Sequence, residues 1–156
     1  MNLVLYSRRF LLQTFLGVAA AVAVPAVYAQ AAAVVNVWKD PNCGCCNDWI
    51  KHMQQHGFKV NVHQNGNSDM RRRLGMPQKF ASCHTATVGR YVLEGHVPAA
   101  DVRRLLREKP VAVGLAVPGM PIGSPGMDGA VYGGKKTPYN VLLVKRDGNS
   151  SVFQTY

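Results

Sequence analysis

The architecture of this chain follows from residues 34–53, VVNVWKDPNCGCCNDWIKHM. The segment opens with an apolar run from Val34 to Trp38, which is typical of a buried strand. It closes with apolar residues at the spacing i, i+3, i+4 and i+7 from Cys46, which predicts one face of an amphipathic helix. Cys43, Cys45 and Cys46 therefore lie where a strand turns into a helix.

The beginning of this helix is a favourable place for thiolates. We expect Asn42 to be the N-cap, which puts the three cysteines in the first turn. Unpaired amide N–H groups and the positive end of the helix dipole stabilise anions there. Such a setting lowers the pKa of a cysteine from about 8.5 to roughly 3.5–7.5. Since thiolates attack disulfides and ligate metals, the sulfurs indicate one of these two activities.

The spacing of the cysteines leaves several chemistries open. Cys43 and Cys46 form the C-x-x-C pair of a thiol–disulfide oxidoreductase, with Cys43 attacking and Cys46 resolving. Cys45 is surplus to that cycle and would scramble it, whereas three soft sulfurs suit Cu(I), Zn(II) or an iron–sulfur cluster. The total of four cysteines also allows purely structural disulfides. We favour metal binding and keep dithiol redox chemistry as the alternative.

The first 29 residues have the features of an export signal. Arg8-Arg9 supplies a basic region, Phe10 to Val24 is apolar, and small residues end at Ala29. The apolar run is short for a membrane span of about 20 residues, so we expect cleavage near Ala29 and no stable membrane insertion afterwards. Ser7 to Leu12 also resembles a twin-arginine signal.

The net charge of +10 raises the question of nucleic acid binding. Export argues against a nucleic acid partner, and we interpret Arg71-Arg72-Arg73 as the solvated face of a short helix. Export also argues against an iron–sulfur carrier, because those clusters are assembled in the cytoplasm.

The remaining pattern predicts a thioredoxin-like α/β domain over residues 30–110. A second strand and a short helix capped by Ser68 follow the first helix. Two strands then turn at Gly89-Arg90, and a last helix starts at Pro98. The order β-α-β-α-β-β-α with a thiol motif at the first helix is that of a thioredoxin-like fold.

Residues 111–156 have a different composition. The part up to Pro138 is rich in glycine and proline, which predicts neither a regular helix nor a central strand. The chain then closes in a β-hairpin around Asp147-Gly148. We interpret 111–156 as a C-terminal extension packed on the same domain.

Further candidate metal ligands lie outside the C-x-C-C motif. Cys83 and His84 precede the third strand, and in a thioredoxin-like arrangement that loop faces the first helix. Met120 and Met127 offer thioether sulfur, which favours Cu(I), from a loop without the usual packing role for methionine. His96 follows a strand, and we favour a polar residue at a strand end over a metal ligand or a group that supports the ligands. Three further histidines share no spacing with the cysteines and are interpreted as surface residues: His52, His56 and His63.

Four motifs together resemble one family, the small exported CopG-like copper-resistance proteins, first described as the DUF411 family. They are Cys43-Gly44-Cys45-Cys46, Ala81–Thr85, Glu94–Ala99, and the segment from Gly119 to Met127 that contains G-S-P-G-M. The C-x-C-C motif combined with G-S-P-G-M is the specific part of this resemblance.

The resemblance implies a thioredoxin-like domain whose C-terminal extension contributes to metal binding. It implies a copper site on the cysteines, in the form of a multi-copper cluster bridged by sulfur. It also implies periplasmic copper tolerance, with copper-efflux or copper-chaperone proteins as candidate partners. An oxidoreductase activity that interconverts Cu(I) and Cu(II) is implied more weakly. Beyond Val111 the chain has no Cys or His, so Met120 and Met127 are the soft donors that the extension offers.

Overall fold

The computed structural model describes residues 32–156 of the chain, and the predicted signal at 1–29 lies outside them. No helix in the described part is long and apolar enough to cross a membrane. The helices are α1 (Gly44–Gln55), α2 (Ser68–Arg73) and α3 (Ala99–Glu108). The strands are β1 (Val34–Lys39), β2 (Lys59–His63), β3 (His84–Val88), β4 (Tyr91–Glu94), β5 (Gly114–Ala116), β6 (Asn140–Val144) and β7 (Ser150–Thr155).

One mixed sheet runs through the described chain in the order β2-β1-β3-β4-β5-β6-β7. β1 pairs in parallel with β2 and antiparallel with β3, and β3 turns back into β4. The β-α-β-α-β-β-α order that the sequence predicts is confirmed, and it is compatible with a thioredoxin-like fold. β6 and β7 form the predicted closing hairpin.

The main core lies between the sheet and helices α1 and α3. Val37 of β1 and Leu93 of β4 pack there with Trp49 of α1 and Leu105 of α3, and all four are fully buried. A smaller cluster on the other face of the sheet contains Val92, because neighbouring residues of a strand point to opposite faces. The sheet therefore holds α1 and its cysteines against a rigid base.

β5 corrects the expectation that the segment up to Pro138 contains no central strand. It pairs in parallel with β4 and antiparallel with β6, inside the sheet. Gly114 makes this pairing possible, because a Cβ at that position would lie 1.7 Å from the Val92 carbonyl oxygen. Leu115 and Ala116 supply the fully buried apolar contacts, and Pro118 follows directly after Val117. Glycine here permits close strand approach and does not mark a loop.

Two smaller expectations also change. The N-cap of α2 is Asn67, and the helix begins at Ser68 itself. Arg71 is not part of a solvated face: it is buried, and its Nε lies 3.6 Å from a carboxylate oxygen of Glu94. Arg72 and Arg73 are exposed, as the sequence predicts. The last turn of α2 therefore faces the sheet through an arginine that local composition could not distinguish from its neighbours.

Candidate metal centre

The four cysteine sulfurs gather at the beginning of α1. The Sγ atoms of Cys43, Cys45, Cys46 and Cys83 all lie within 4.8 Å of one another. Cys43 and Cys46 are joined by a disulfide, while Cys45 and Cys83 are free thiols. The Cys45 Sγ is 3.6 Å from the Cys43 Sγ. Sulfurs at these separations can share one metal ion or bridge several.

The loop between β1 and α1 positions the first three cysteines. The Asp40 carboxylate accepts a hydrogen bond from the Asn42 amide at 2.8 Å, and the Asp40 carbonyl accepts one from the Cys43 amide at 3.1 Å. The N-cap of α1 is therefore Cys43 and not Asn42, and it makes no side-chain capping hydrogen bond. The first-turn amides of α1 thus lack the usual side-chain acceptor, which favours negative charge on the neighbouring sulfurs.

The antiparallel pairing of β3 with β1 brings Cys83 to this loop. Lys39 at the end of β1 lies opposite His84 at the start of β3, so the residue before His84 reaches the cysteine motif. The Cys46 Sγ lies 3.7 Å from the Cys83 carbonyl oxygen. Cys83 comes from a segment 37 residues away in sequence, so the fold itself assembles the fourth sulfur.

Two buried imidazoles complete a second donor group around Cys83. The Cys83 Sγ lies 3.4 Å from the His84 Nδ1 and 2.9 Å from the His96 Nε2. The His96 Nδ1 lies 2.7 Å from the Pro125 carbonyl oxygen, so Nδ1 carries the proton and Nε2 accepts the Cys83 S–H. The His84 Nε2 is buried without a hydrogen-bond partner among residues 32–156. The His84 Nδ1 and the His96 Nε2 therefore lie beside the Cys83 sulfur, where each could act as a metal ligand.

His96 is the site residue that sequence reasoning undervalued. The hairpin register offered a signal for it, because Val88 pairs with Tyr91 and Thr85 pairs with Glu94. Continuing that count outward from the turn places Cys83 opposite His96. A strand-end histidine is unremarkable by itself, but one directly across a hairpin from a cysteine is a ligand candidate.

Burial keeps the second donor group neutral in the metal-free protein. It raises the pKa of Cys83 to about 12, and the neighbouring Cys45 adds to the rise. Burial likewise lowers the pKa of His84 well below its ordinary value, with a further contribution from His96, and lowers the pKa of His96. Neutral imidazoles can ligate at once, whereas the Cys83 thiol must release its proton to solvent when a metal binds the sulfur.

The segment between β5 and β6 lies against the cysteines. The Met120 Sδ is 3.9 Å from the Cys45 Sγ, and 51% of Met120 is exposed. Met127 is buried, and its Sδ accepts a hydrogen bond from the Tyr132 hydroxyl at 3.2 Å. Gly126, with φ +87°, packs so closely that a Cβ would lie 2.6 Å from the Cys45 carbonyl oxygen. The structure thus brings Met120 to the cysteines and gives the Met127 sulfur a different contact.

A buried network of hydrogen bonds holds the residues on both sides of the Cys83-His84 pair. The fully buried Glu94 accepts hydrogen bonds from the Ser82 amide at 2.8 Å and the Thr85 hydroxyl at 2.6 Å. Burial raises the pKa of Glu94 to about 7, against the opposing effect of these hydrogen bonds and of Arg71. Because Ser82 and Thr85 flank the pair on both sides, one carboxylate sets the position of two candidate ligands.

Comparisons with known proteins identify the family of the chain. Residues 80–127 match the model of a family described as "protein of unknown function, DUF411". No curated protein matches the chain. A solved structure titled copper resistance protein CopG, form 2, is 45% identical, with a TM-score of 0.74 over 80% of this chain and 98% of its own. Form 1 of that protein is 47% identical, with a TM-score of 0.71 over 79% of this chain and 96% of its own. At this identity and coverage, the chain belongs to the CopG family of copper resistance proteins.

Proposed function

We propose that this protein binds Cu(I) through Cys43, Cys45, Cys46 and Cys83 and serves copper resistance in the periplasm. The observation that carries the proposal is the gathering of four sulfurs within 4.8 Å of one another. Thiolate and thioether sulfur are the donors that favour Cu(I), and Met120 adds a thioether beside Cys45. The names of the solved relatives support copper over other thiophilic metals.

The same site has the donors for a cluster of several copper ions. Each cysteine sulfur can bridge two ions, and His84 and His96 add imidazole nitrogen at the Cys83 side. Imidazole also accepts Cu(II), so the mixed donor set supports interconversion of Cu(I) and Cu(II) as a second part of the proposal. Periplasmic copper-efflux or copper-chaperone proteins are the partners that would exchange copper with such a site.

A second candidate function is thiol–disulfide exchange without metal. The disulfide between Cys43 and Cys46 favours it, because this is the C-x-x-C pairing of a dithiol oxidoreductase. The two functions differ in their need for Cys45, which a two-cysteine cycle does not use.

The Cys45→Ser variant separates the two candidates. Serine keeps a small polar side chain and removes the soft donor, so we expect fewer copper ions per chain and weaker copper tolerance in cells. Copper should be counted by elemental analysis of protein purified anaerobically without a metal-affinity tag. Cys43→Ser is the matched control, because it removes a sulfur that both functions need. Full copper content and tolerance in Cys45→Ser, with tolerance lost only in Cys43→Ser and Cys46→Ser, would leave thiol–disulfide exchange as the function.

A further inference from the structure

Lys39 is a fully buried lysine directly before the cysteine loop. It is the last residue of β1 and follows Val35 and Val37 on the face that packs into the main core. Its exposed fraction is 0%. Lysine is almost never fully buried unless its charge is paired, because removing an ammonium from water is costly.

The described chain gives this ammonium no charged partner. The Lys39 Nζ donates to the carbonyl oxygens of Asp40 at 2.8 Å and Pro41 at 3.3 Å. No carboxylate among residues 32–156 lies within 4.0 Å of it. Carbonyl dipoles satisfy hydrogen bonds but leave the charge unbalanced. A buried cation in this state indicates that the site holds negative charge in its working form.

The position of Lys39 identifies that negative charge. The Asp40 carbonyl oxygen that accepts from the Nζ also accepts from the Cys43 amide, so one carbonyl group links the ammonium to the N-cap residue of α1. Lys39 also lies opposite His84, and burial keeps that imidazole neutral. The Asp40 carboxylate is exposed and accepts from the Asn42 amide instead of the Lys39 Nζ, so the groups at this end of β1 that become anionic on metal binding are the cysteine sulfurs.

We propose that Lys39 is the counter-cation of the metal-loaded cysteine cluster. The inference rests on the proposed copper binding. Each cysteine that binds copper gives up a proton and carries one negative charge, whereas each Cu(I) brings one positive charge. With fewer than four Cu(I), the four thiolates keep a net negative charge that the Lys39 ammonium offsets. A protonated amine has no lone pair, so Lys39 acts through the sulfurs and does not ligate the metal.

Lys39→Met and Lys39→Arg test the proposal. Methionine keeps the length and removes the charge, while arginine keeps the charge. In Lys39→Met we expect Cu(I) affinity in a competition titration to fall about tenfold or more, most strongly for the first ion bound. In Lys39→Arg we expect affinity near that of the wild type.

Measuring the unfolding of the same variants with and without Cu(I) separates the effect of the Lys39 charge from a purely structural role of the side chain. A buried unpaired charge is unfavourable, so Lys39→Met should unfold no more easily than wild type when reduced and metal-free. The same variant should lose stability relative to wild type when loaded with Cu(I). A purely structural lysine would lower stability in both forms and leave Cu(I) affinity unchanged, and that result overturns the proposal. Equal loss of affinity in Lys39→Arg and Lys39→Met overturns it too, because charge would then be irrelevant.

Two further results distinguish failure of the Lys39 proposal from failure of the proposed copper function. If Cys45→Ser loses copper while Lys39→Met keeps full affinity, the copper function stands and the role of Lys39 is wrong. If reduced wild-type protein binds no Cu(I), both are wrong.

Discussion

Cys43 and Cys46 cannot form their disulfide and ligate a metal at the same time. In the disulfide each sulfur is bonded to the other and has no thiolate charge to give to a metal. Two electrons must therefore reduce this bond before either cysteine can ligate copper. Cys45 stays a thiol in the disulfide form, 3.6 Å from the Cys43 sulfur. The redox state of one bond thus decides whether the site offers two sulfurs or four.

The two methionines allow a sharper test than the sequence suggested. We expect Met120→Leu to weaken Cu(I) binding by about 1 kcal/mol, or roughly fivefold, because it removes a thioether 3.9 Å from the Cys45 sulfur. Leucine has similar bulk, so stability should change by less than about 1.5 kcal/mol. A competition titration measures the affinity.

Met127→Leu is the matched comparison. The Met127 sulfur already accepts a hydrogen bond from Tyr132, so we expect a smaller loss of Cu(I) affinity than in Met120→Leu. Equal losses in the two variants would make both methionines ligands, as the sequence interpretation has it. No loss in either would assign both to the structure of the segment.

Helices α1 and α3 are connected by a histidine that sequence analysis took for a surface residue. His52 is partly buried, and its Nε2 accepts a hydrogen bond from the Ala99 amide at 3.1 Å. Ala99 is the first residue of α3, where backbone amides have no partner inside the helix. One helix therefore caps its neighbour, and the cap requires an unprotonated imidazole nitrogen.

This cap makes stability depend on pH. Burial, aided by the neighbouring His56, lowers the pKa of His52 from 6.5 to about 4. The folded state therefore binds fewer protons than the unfolded state between these values. The contribution of His52 is complete above pH 6.5 and is lost as the pH falls towards about 4. We expect a loss of about 1 to 2 kcal/mol, since water partly screens this half-exposed side chain.

Chemical denaturation of the metal-free protein at several pH values measures this loss. His52→Gln keeps an oxygen that can accept from Ala99 and cannot be protonated, so part of the acid sensitivity should disappear. His52→Ala removes the acceptor at every pH and should be less stable throughout. An unchanged pH profile in His52→Gln would show that the cap does not couple to pH.

Across the molecule, the extension and the thiol-bearing part share one sheet. β5, β6 and β7 continue the sheet beyond β4, and the segment between β5 and β6 returns to the cysteines through Met120 and Gly126. The sheet therefore sets the distance between sulfurs that come from three separate parts of the sequence.

The predicted export signal also concerns the whole chain. We expect the exported protein to begin at Gln30 or within a few residues of it, and intact-mass measurement on a periplasmic extract checks this. Replacing Arg8 and Arg9 together by lysine is the control for the route, because it keeps the charge and removes the twin-arginine pair. Export should stop if the twin-arginine route is used and continue if it is not. A soluble periplasmic form that retains Phe10 to Val24 would contradict the signal.

Patterns among residues that are close in sequence were sufficient to predict several elements of this fold. The apolar run before the cysteines, the 3.6-residue period after them and the turn at Gly89-Arg90 each depend on neighbours in sequence, so β1, α1 and the β3–β4 hairpin were predictable. A C-x-C-C motif is equally local, and it identified thiol or metal chemistry before any contact was known.

Long-range contacts determined the rest. Arg71 and Arg72 are adjacent and alike in sequence, yet only the packed fold makes one a buried partner of Glu94. Gly114 belongs to a strand and not a loop because the Val92 backbone lies against it. His96 is a site candidate because β3–β4 pairing brings its Nε2 to 2.9 Å from the Cys83 sulfur, and Lys39 stands out because packing buries it completely. Burial and charge compensation arise from neighbours in space, and these are what local sequence does not contain.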